Sequence, residues 1–342
     1  MLGELTIMRI DIHTHFIPPG WEDWTAKFGG SRWPRLEMLD SCSANMMIGD
    51  RVFRRVTDQC WSPERRMADM DDLGIDIQVL SPVPIMLSYW AEAKACQAFA
   101  QVQNEYCAEI VAKHPARFQG MATVPLQDTD LAIAELRFAV ENLGLRAVEI
   151  GSFPGGRNLD SPEVFPFFEA CCDLDVSVFV HPADAIIGKE RMGDFYLPNI
   201  AGNPLETALA ITRFIFGGVP KRLPKLRICF AHGGGAFVYI LGRVTHGWNI
   251  RDEPRQFADK PPIEYARQLY YDSLTHSPEN LRFLLDKLGN DRVVIGSDYP
   301  FGLGEKDPAA FLNSCGLEPK VQAMIEGDNA QAFLGNDGGE GA

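Results

Sequence analysis

"RIDIHTHF", residues 9–16, is a short β-branched run that carries two histidines one residue apart. In a strand, alternate side chains point the same way. The run therefore predicts Asp11, His13 and His15 on one face, with Ile10 and Ile12 on the other. Each polar group taken out of water needs a partner, and a bound cation or water at an open strand end would supply one.

Working outward, seven more runs resemble the first. They are "GIDIQVLS" (74–81), "FQGMATVP" (118–125), "LRAVEIG" (145–151), "VSVFVHP" (176–182), "LRICFAHG" (226–233), "QLYYDSL" (268–274) and "DRVVIGSD" (291–298). Between them lie amphipathic segments such as "AKACQAFAQVQNEYCAEIVAKH" and "DLAIAELRFAVENLG", apolar at i, i+3, i+4 and ending at Gly or before Pro. Strands alternating with helices predict parallel pairing, and eight such units predict a closed (β/α)8 TIM-like barrel rather than an open doubly wound sheet. The first strand is not followed by G-x-G-x-x-G, which argues against a dinucleotide fold.

The whole chain, residues 1–342, reads as a single barrel domain with one interruption. Residues 16–62 are too long for a simple connection and contain Trp21, Trp24, Trp33 and Trp61. They are expected to form a packed insertion after the first strand, a lid over the barrel mouth. The closing "NDGGEGA" is expected to fray.

A net charge of −14 argues against a nucleic-acid or anionic-membrane partner. No run approaches the length of a transmembrane helix. The start lacks the layout of a signal peptide, so the expected location is cytoplasmic. Eight cysteines without a CxxC pair suggest neither a disulfide scaffold nor a zinc knuckle.

The polar residues inside the runs share one position. His13 and His15 end the first, His181 the fifth, His232 the sixth and Asp298 the eighth. Barrel enzymes build their active sites at that carboxyl end. A lone histidine there is more often structural, but five potential ligands on one rim point to a site. Three imidazoles and a carboxylate suit a borderline cation such as Zn²⁺. His114, where a helix ends, reads as solvated, and His246 and His276, in or near helical segments, read as surface or supporting groups.

"DIHTH", "HP", "AHGGGAF" and "GSDYPF", in that order at strand ends, resemble the amidohydrolase superfamily. Within it the chain is similar to the 2-amino-3-carboxymuconate-6-semialdehyde decarboxylase family, through "VFRRV", "CWSPERRMADMD", "SPVPIMLSYWA", "VPLQD" and "GNPLETALAI" as well. The resemblance implies one zinc held by His13, His15, His181 and Asp298, with His232 as the acid/base group. It also implies substrate carboxylates held by Arg54, in the insertion, and Arg243, in "LGRVTHG". An arginine from the latter region reaches the neighbouring subunit's site in that family, which implies a homodimer. Two positions depart from the family pattern: Ala183 in "HPADA" and Asn199 in "YLPNI" stand where tryptophans are expected. Their loss predicts room for a bulkier, more polar or differently oriented substrate. Glu149 lies where superfamily members with two metals place a bridging group, and reads better as a supporting acid.

Two reaction classes fit these residues. One is non-oxidative decarboxylation of an unsaturated or aromatic acid, 2-amino-3-carboxymuconate-6-semialdehyde or a close analogue, in which zinc supplies hydroxide near neutral pH and His232 relays a proton. The other is hydrolysis of an amide, lactone or C–C bond by the same hydroxide. The arginine pair favours the first, because bidentate guanidinium groups suit an anionic substrate.

Overall fold

The structure, a computed structural model, describes residues 8–183 and 187–336. The expectations for residues 1–7 and for all but Asn336 of "NDGGEGA" lie outside those residues. Strand β1 is Ile10–Phe16. The insertion then contributes β2 (Pro34–Met38), β3 (Ser43–Ile48) and β4 (Arg51–Thr57). The remaining strands are β5 (Ile77–Pro82), β6 (Phe118–Thr123), β7 (Ala147–Gly151), β8 (Ser177–His181), β9 (Ile228–Phe230), β10 (Tyr270–Asp272) and β11 (Val293–Val294). Strands β1 and β5 to β11 form one parallel sheet in chain order. Bridges from Asp11 to Ile295 and from Thr14 to Tyr299 bring its last edge back to β1. The eight runs in the sequence thus become the eight staves of a (β/α)8 barrel.

Local chemistry sets the helix ends between these staves. The helix Pro63–Leu73 begins at Ser62, whose side chain accepts from Arg65 N–H, and stops at Gly74 in the left-handed region. Asp128 and Gly144 bracket Thr129–Leu143 in the same way. Apolar helix faces then close over the outer side of the barrel, as where Phe168 packs on Phe214 and Phe214 on Phe230 of β9. No helix of the described residues is long and apolar enough to cross a membrane.

The alternation expected of β1 is broken. Its pairing with β5 is in step at Asp11–Gln78 and resumes at Thr14–Leu80, so β1 carries one extra residue between them. Ile10 and Ile12 lie in the inner cluster with Val79, Phe179 and Val294, and the His13 ring meets that same Phe179 at 5.0 Å between centroids. Asp11 turns the other way and accepts hydrogen bonds from Ser297 Oγ (2.5 Å) and Ser297 N (3.1 Å). Grouping Asp11 with His13 and His15, opposite Ile10 and Ile12, is therefore wrong. A bulge resets the period of two, and a sequence pattern does not register it.

The insertion has a fold of its own, the antiparallel sheet β2–β3–β4. Trp24 and Trp33 are buried with Met46, Val83, Met86 and Phe99, which pins the insertion to the barrel beside β5. Arg51, Phe53 and Arg54, on β4, reach the cavity at the carboxyl end of the barrel.

Candidate metal centre

The structure brings His13, His15, His181 and Asp298 together: one ligand atom from each lies within 4.8 Å of all the others. Two come from the bulged end of β1, one ends β8, and Asp298 follows β11. The rings of His13, His15 and His181 meet edge-on, with centroids 5.1 to 5.3 Å apart.

Each imidazole is oriented through Nδ1. His15 Nδ1 lies 3.1 Å from the Pro82 carbonyl and His181 Nδ1 lies 2.9 Å from that of Pro182. His13 Nδ1 lies 2.7 Å from Asp272 Oδ2. A carbonyl only accepts, so the proton of His15 and His181 sits on Nδ1 and the Nε2 lone pair faces inward. Nε2 of His13 and of His15 are buried and make no hydrogen bond. His15 Nε2 faces Asp298 Oδ1 across 3.1 Å, lone pair towards lone pair. A divalent cation between them resolves that repulsion, so the donor set fits a metal with nitrogen and oxygen ligands.

The electrostatics of His15 and His181 agree with this arrangement. Burial pushes His15 below its usual value and His181 well below, which keeps both in the neutral form that can ligate. Burial also opposes charge on His13, but the Asp272 carboxylate outweighs it and raises His13 to about 9. Asp298 would be raised by burial. The adjacent His15 ring and the nearby His13 charge instead hold it down at about 2.

His232 stands beside this group, its ring centroid 4.9 Å from that of His181 and 5.2 Å from that of His13. Burial, then the His13 charge, pushes it down to about 4, and its Nδ1 is buried without a hydrogen bond. Both His232 and Asp298 have positive φ (59° and 60°), a region that non-glycine residues rarely occupy. The glycines after His232 are required sterically: a Cβ on Gly234 would sit 2.8 Å from Tyr271 Cδ1, and one on Gly235 would collide with the Pro204 backbone.

Sequence reasoning missed two residues. Asp272 accepts from His13 and also from the backbone N–H groups of His232 (2.9 Å), Gly233 (2.7 Å) and Leu274 (3.1 Å). Its signal was available, since "YYD" ends the seventh run as the other polar residues end theirs. Arg66 is fully buried and donates to the His15 carbonyl (2.7 Å), Gln59 carbonyl (3.1 Å), Thr14 Oγ1 (2.9 Å) and Gln78 Oε1 (3.0 Å). Nothing in "SPERRMADMD" separates Arg66 from its solvated neighbour Arg65.

A cavity of about 780 Å³ opens above the centre. Ala183 and Asn199 both line it, as does Arg54, whose guanidinium stacks 4.5 Å from the Phe301 ring and donates to Tyr196 Oη at 2.8 Å. Arg243 does not enter it. That residue is exposed on the helix Phe237–Ile250. His276 sits on the cavity wall between β10 and the next helix. Glu149 is fully buried with neither oxygen hydrogen-bonded, and burial raises it to about 8. Glu149 lies outside the four-residue group.

Residues 10–335 match the amidohydrolase family. The chain is 42% identical over 332 residues to 2-amino-3-carboxymuconate-6-semialdehyde decarboxylase of Dictyostelium discoideum, covering 96% of this chain and 92% of the relative. It superposes on 5-carboxyvanillate decarboxylase of Sphingomonas paucimobilis with a TM-score of 0.80 at 24% identity, over 96% and 99% of the two chains. A dihydroxybenzoic acid decarboxylase of Polaromonas, solved with bound manganese and the inhibitor 2-nitroresorcinol, superposes with a TM-score of 0.76 at 22% identity, over 97% and 98%.

Proposed function

The chain belongs to the amidohydrolase family and is a carboxy-lyase, and from that premise we propose a metal-dependent, non-oxidative decarboxylase of a small unsaturated or aromatic acid. The proposed substrate is 2-amino-3-carboxymuconate-6-semialdehyde or a close analogue. The observation that carries this reading is the convergence of His13, His15, His181 and Asp298 beneath a cavity that also holds His232 and Arg54.

His13, His15, His181 and Asp298 would hold one cation, zinc by their donor chemistry, with manganese supported by the Polaromonas decarboxylase. When bound, such a cation acts as a Lewis acid and supplies hydroxide near neutral pH. Losing CO₂ from an sp² carbon requires a proton to replace the departing carboxylate. His232, neutral at working pH, accepts a proton in the cavity and delivers it to that carbon. The C–C bond then breaks, its electron pair restores the conjugated system, and CO₂ leaves with one proton consumed per turnover. Arg54 holds a carboxylate of the substrate, its fork kept in place by Phe301 and Tyr196.

The working unit of this proposal is a homodimer. Arg243 lies outside its own cavity, and exposed Tyr239, Ile240 and Ile250 share its helix. Leu205 and Leu209, on the helix Asn203–Phe216, are exposed as well. Apolar residues gathered in this way suit a second copy of the chain, which would carry Arg243 to the neighbouring cavity.

The test is to load the purified protein with zinc or manganese, offer candidate acids and analyse the products. Release of CO₂ is expected. Release of ammonia or an alcohol without CO₂ would replace this reading with the hydrolytic one.

A further inference from the structure

A second cavity, of about 810 Å³, adjoins the metal cavity, and Arg51, Phe53, Ile85 and Lys189 line both. Its far wall holds Arg32, Trp90 and Phe153. Arg51 and Lys189 are charged residues of its wall, and among the described residues no Asp or Glu lines it. In a chain of net charge −14, two cations and no acid among the described lining residues run against the average.

Lys27, Lys113, Lys221 and Lys287 each meet a carboxylate at 2.5 to 3.0 Å. Among the described residues, Arg51 and Lys189 form no ion pair and no side-chain hydrogen bond. Beside them, Phe53, Trp90 and Phe153 offer flat apolar surfaces, and Arg32 already lies over the Trp90 ring at 5.0 Å.

We infer that this second cavity is a subsite for an anionic group at the far end of an elongated aromatic or polyene acid. The acid's reacting carboxylate would occupy the metal cavity, so the inference rests on the proposed function. Arg51 and Lys189 bind the distal anion at the shared wall, and the aromatic residues cover the body between the two ends. The distal anion is untouched by the reaction. Its contacts therefore act equally on ground and transition states, and set affinity rather than the chemical rate.

Titration calorimetry of the metal-loaded protein at low salt tests this, with matched mono- and diacids as probes. The pairs are naphthalene-2-carboxylate with naphthalene-2,6-dicarboxylate, and biphenyl-4-carboxylate with biphenyl-4,4′-dicarboxylate. At least one diacid is expected to bind roughly tenfold tighter than its monoacid, the effect of one charge-assisted pair of contacts. Arg51→Ala and Lys189→Ala should each remove most of that gain while changing monoacid affinity less than about twofold. Both side chains are exposed, so neither substitution threatens the fold. A wild-type protein that gains nothing from the second carboxylate would overturn the subsite, as would a gain that survives both substitutions. The calorimetry needs no turnover. A diacid gain without decarboxylation would overturn the proposed function alone, and decarboxylation without the gain would overturn the subsite alone.

Discussion

Asp272 Oδ2 lies 2.7 Å from His13 Nδ1, and the same carboxylate accepts the backbone N–H of His232 and of Gly233. One buried acid thus aims a candidate metal ligand and fixes the turn that presents the candidate acid/base residue. Burial would raise its pKa, but the His13 hydrogen bond and charge lower it, so Asp272 is held as the anion.

Asp272→Asn should therefore weaken metal binding by roughly 10- to 100-fold, the usual effect of losing the carboxylate behind a ligating histidine. Competition with a chelator of known affinity measures it. Unchanged metal affinity would reduce Asp272 to a turn residue.

Metal analysis of the native protein should find about one divalent cation per chain, because four protein groups complete a single centre. His13→Ala and Asp298→Ala should lose most of that metal and all activity. Full occupancy in both would refute the ligand assignment. Two metals per chain would bring Glu149 in as a bridging group after all.

The fold and the rim of the site were legible in the sequence for one physical reason. Parallel strands buried on both faces are apolar throughout, so His181 or Asp298 at the end of such a run stands out. What could not be read was whatever depends on a partner far away in the chain. The bulge in β1 shows only in its pairing with β5, and the role of Asp272 needs His13, 259 residues distant. Arg66 is similar: its four acceptors come from β1, β5 and the end of the insertion.

Arg66→Met should lower stability by about 3 kcal/mol or more, because several buried acceptors lose their donor together. Urea unfolding checks this. The His15 carbonyl is one of those acceptors, so metal affinity should fall as well. A stability change below about 1 kcal/mol would mean that water replaces the guanidinium.

If Arg243 serves the neighbouring cavity, inactive Arg243→Ala and His232→Ala chains should regain activity when mixed. Some heterodimers would hold one cavity with both residues intact, giving up to roughly a quarter of native activity at equal mixing if subunits pair at random. Activity no higher than that of the separate variants, after confirmed subunit exchange, would leave Arg243 without a role in any cavity.

His232 is the rim histidine that the metal group does not include. Its ring lies against two of the candidate ligands, and its buried Nδ1 makes no hydrogen bond. Its backbone is fixed by Asp272 in a conformation that asparagine tolerates better than most residues. His232→Asn should therefore fold normally and keep its metal at near-native occupancy. Asparagine cannot take up a proton at working pH, so kcat should fall by roughly 10²- to 10⁴-fold, the range for losing an acid/base group. Substrate affinity should change far less, because the proposed carboxylate contact of Arg54 is untouched. Loss of the metal would make His232 a ligand, and full activity would make it a structural residue.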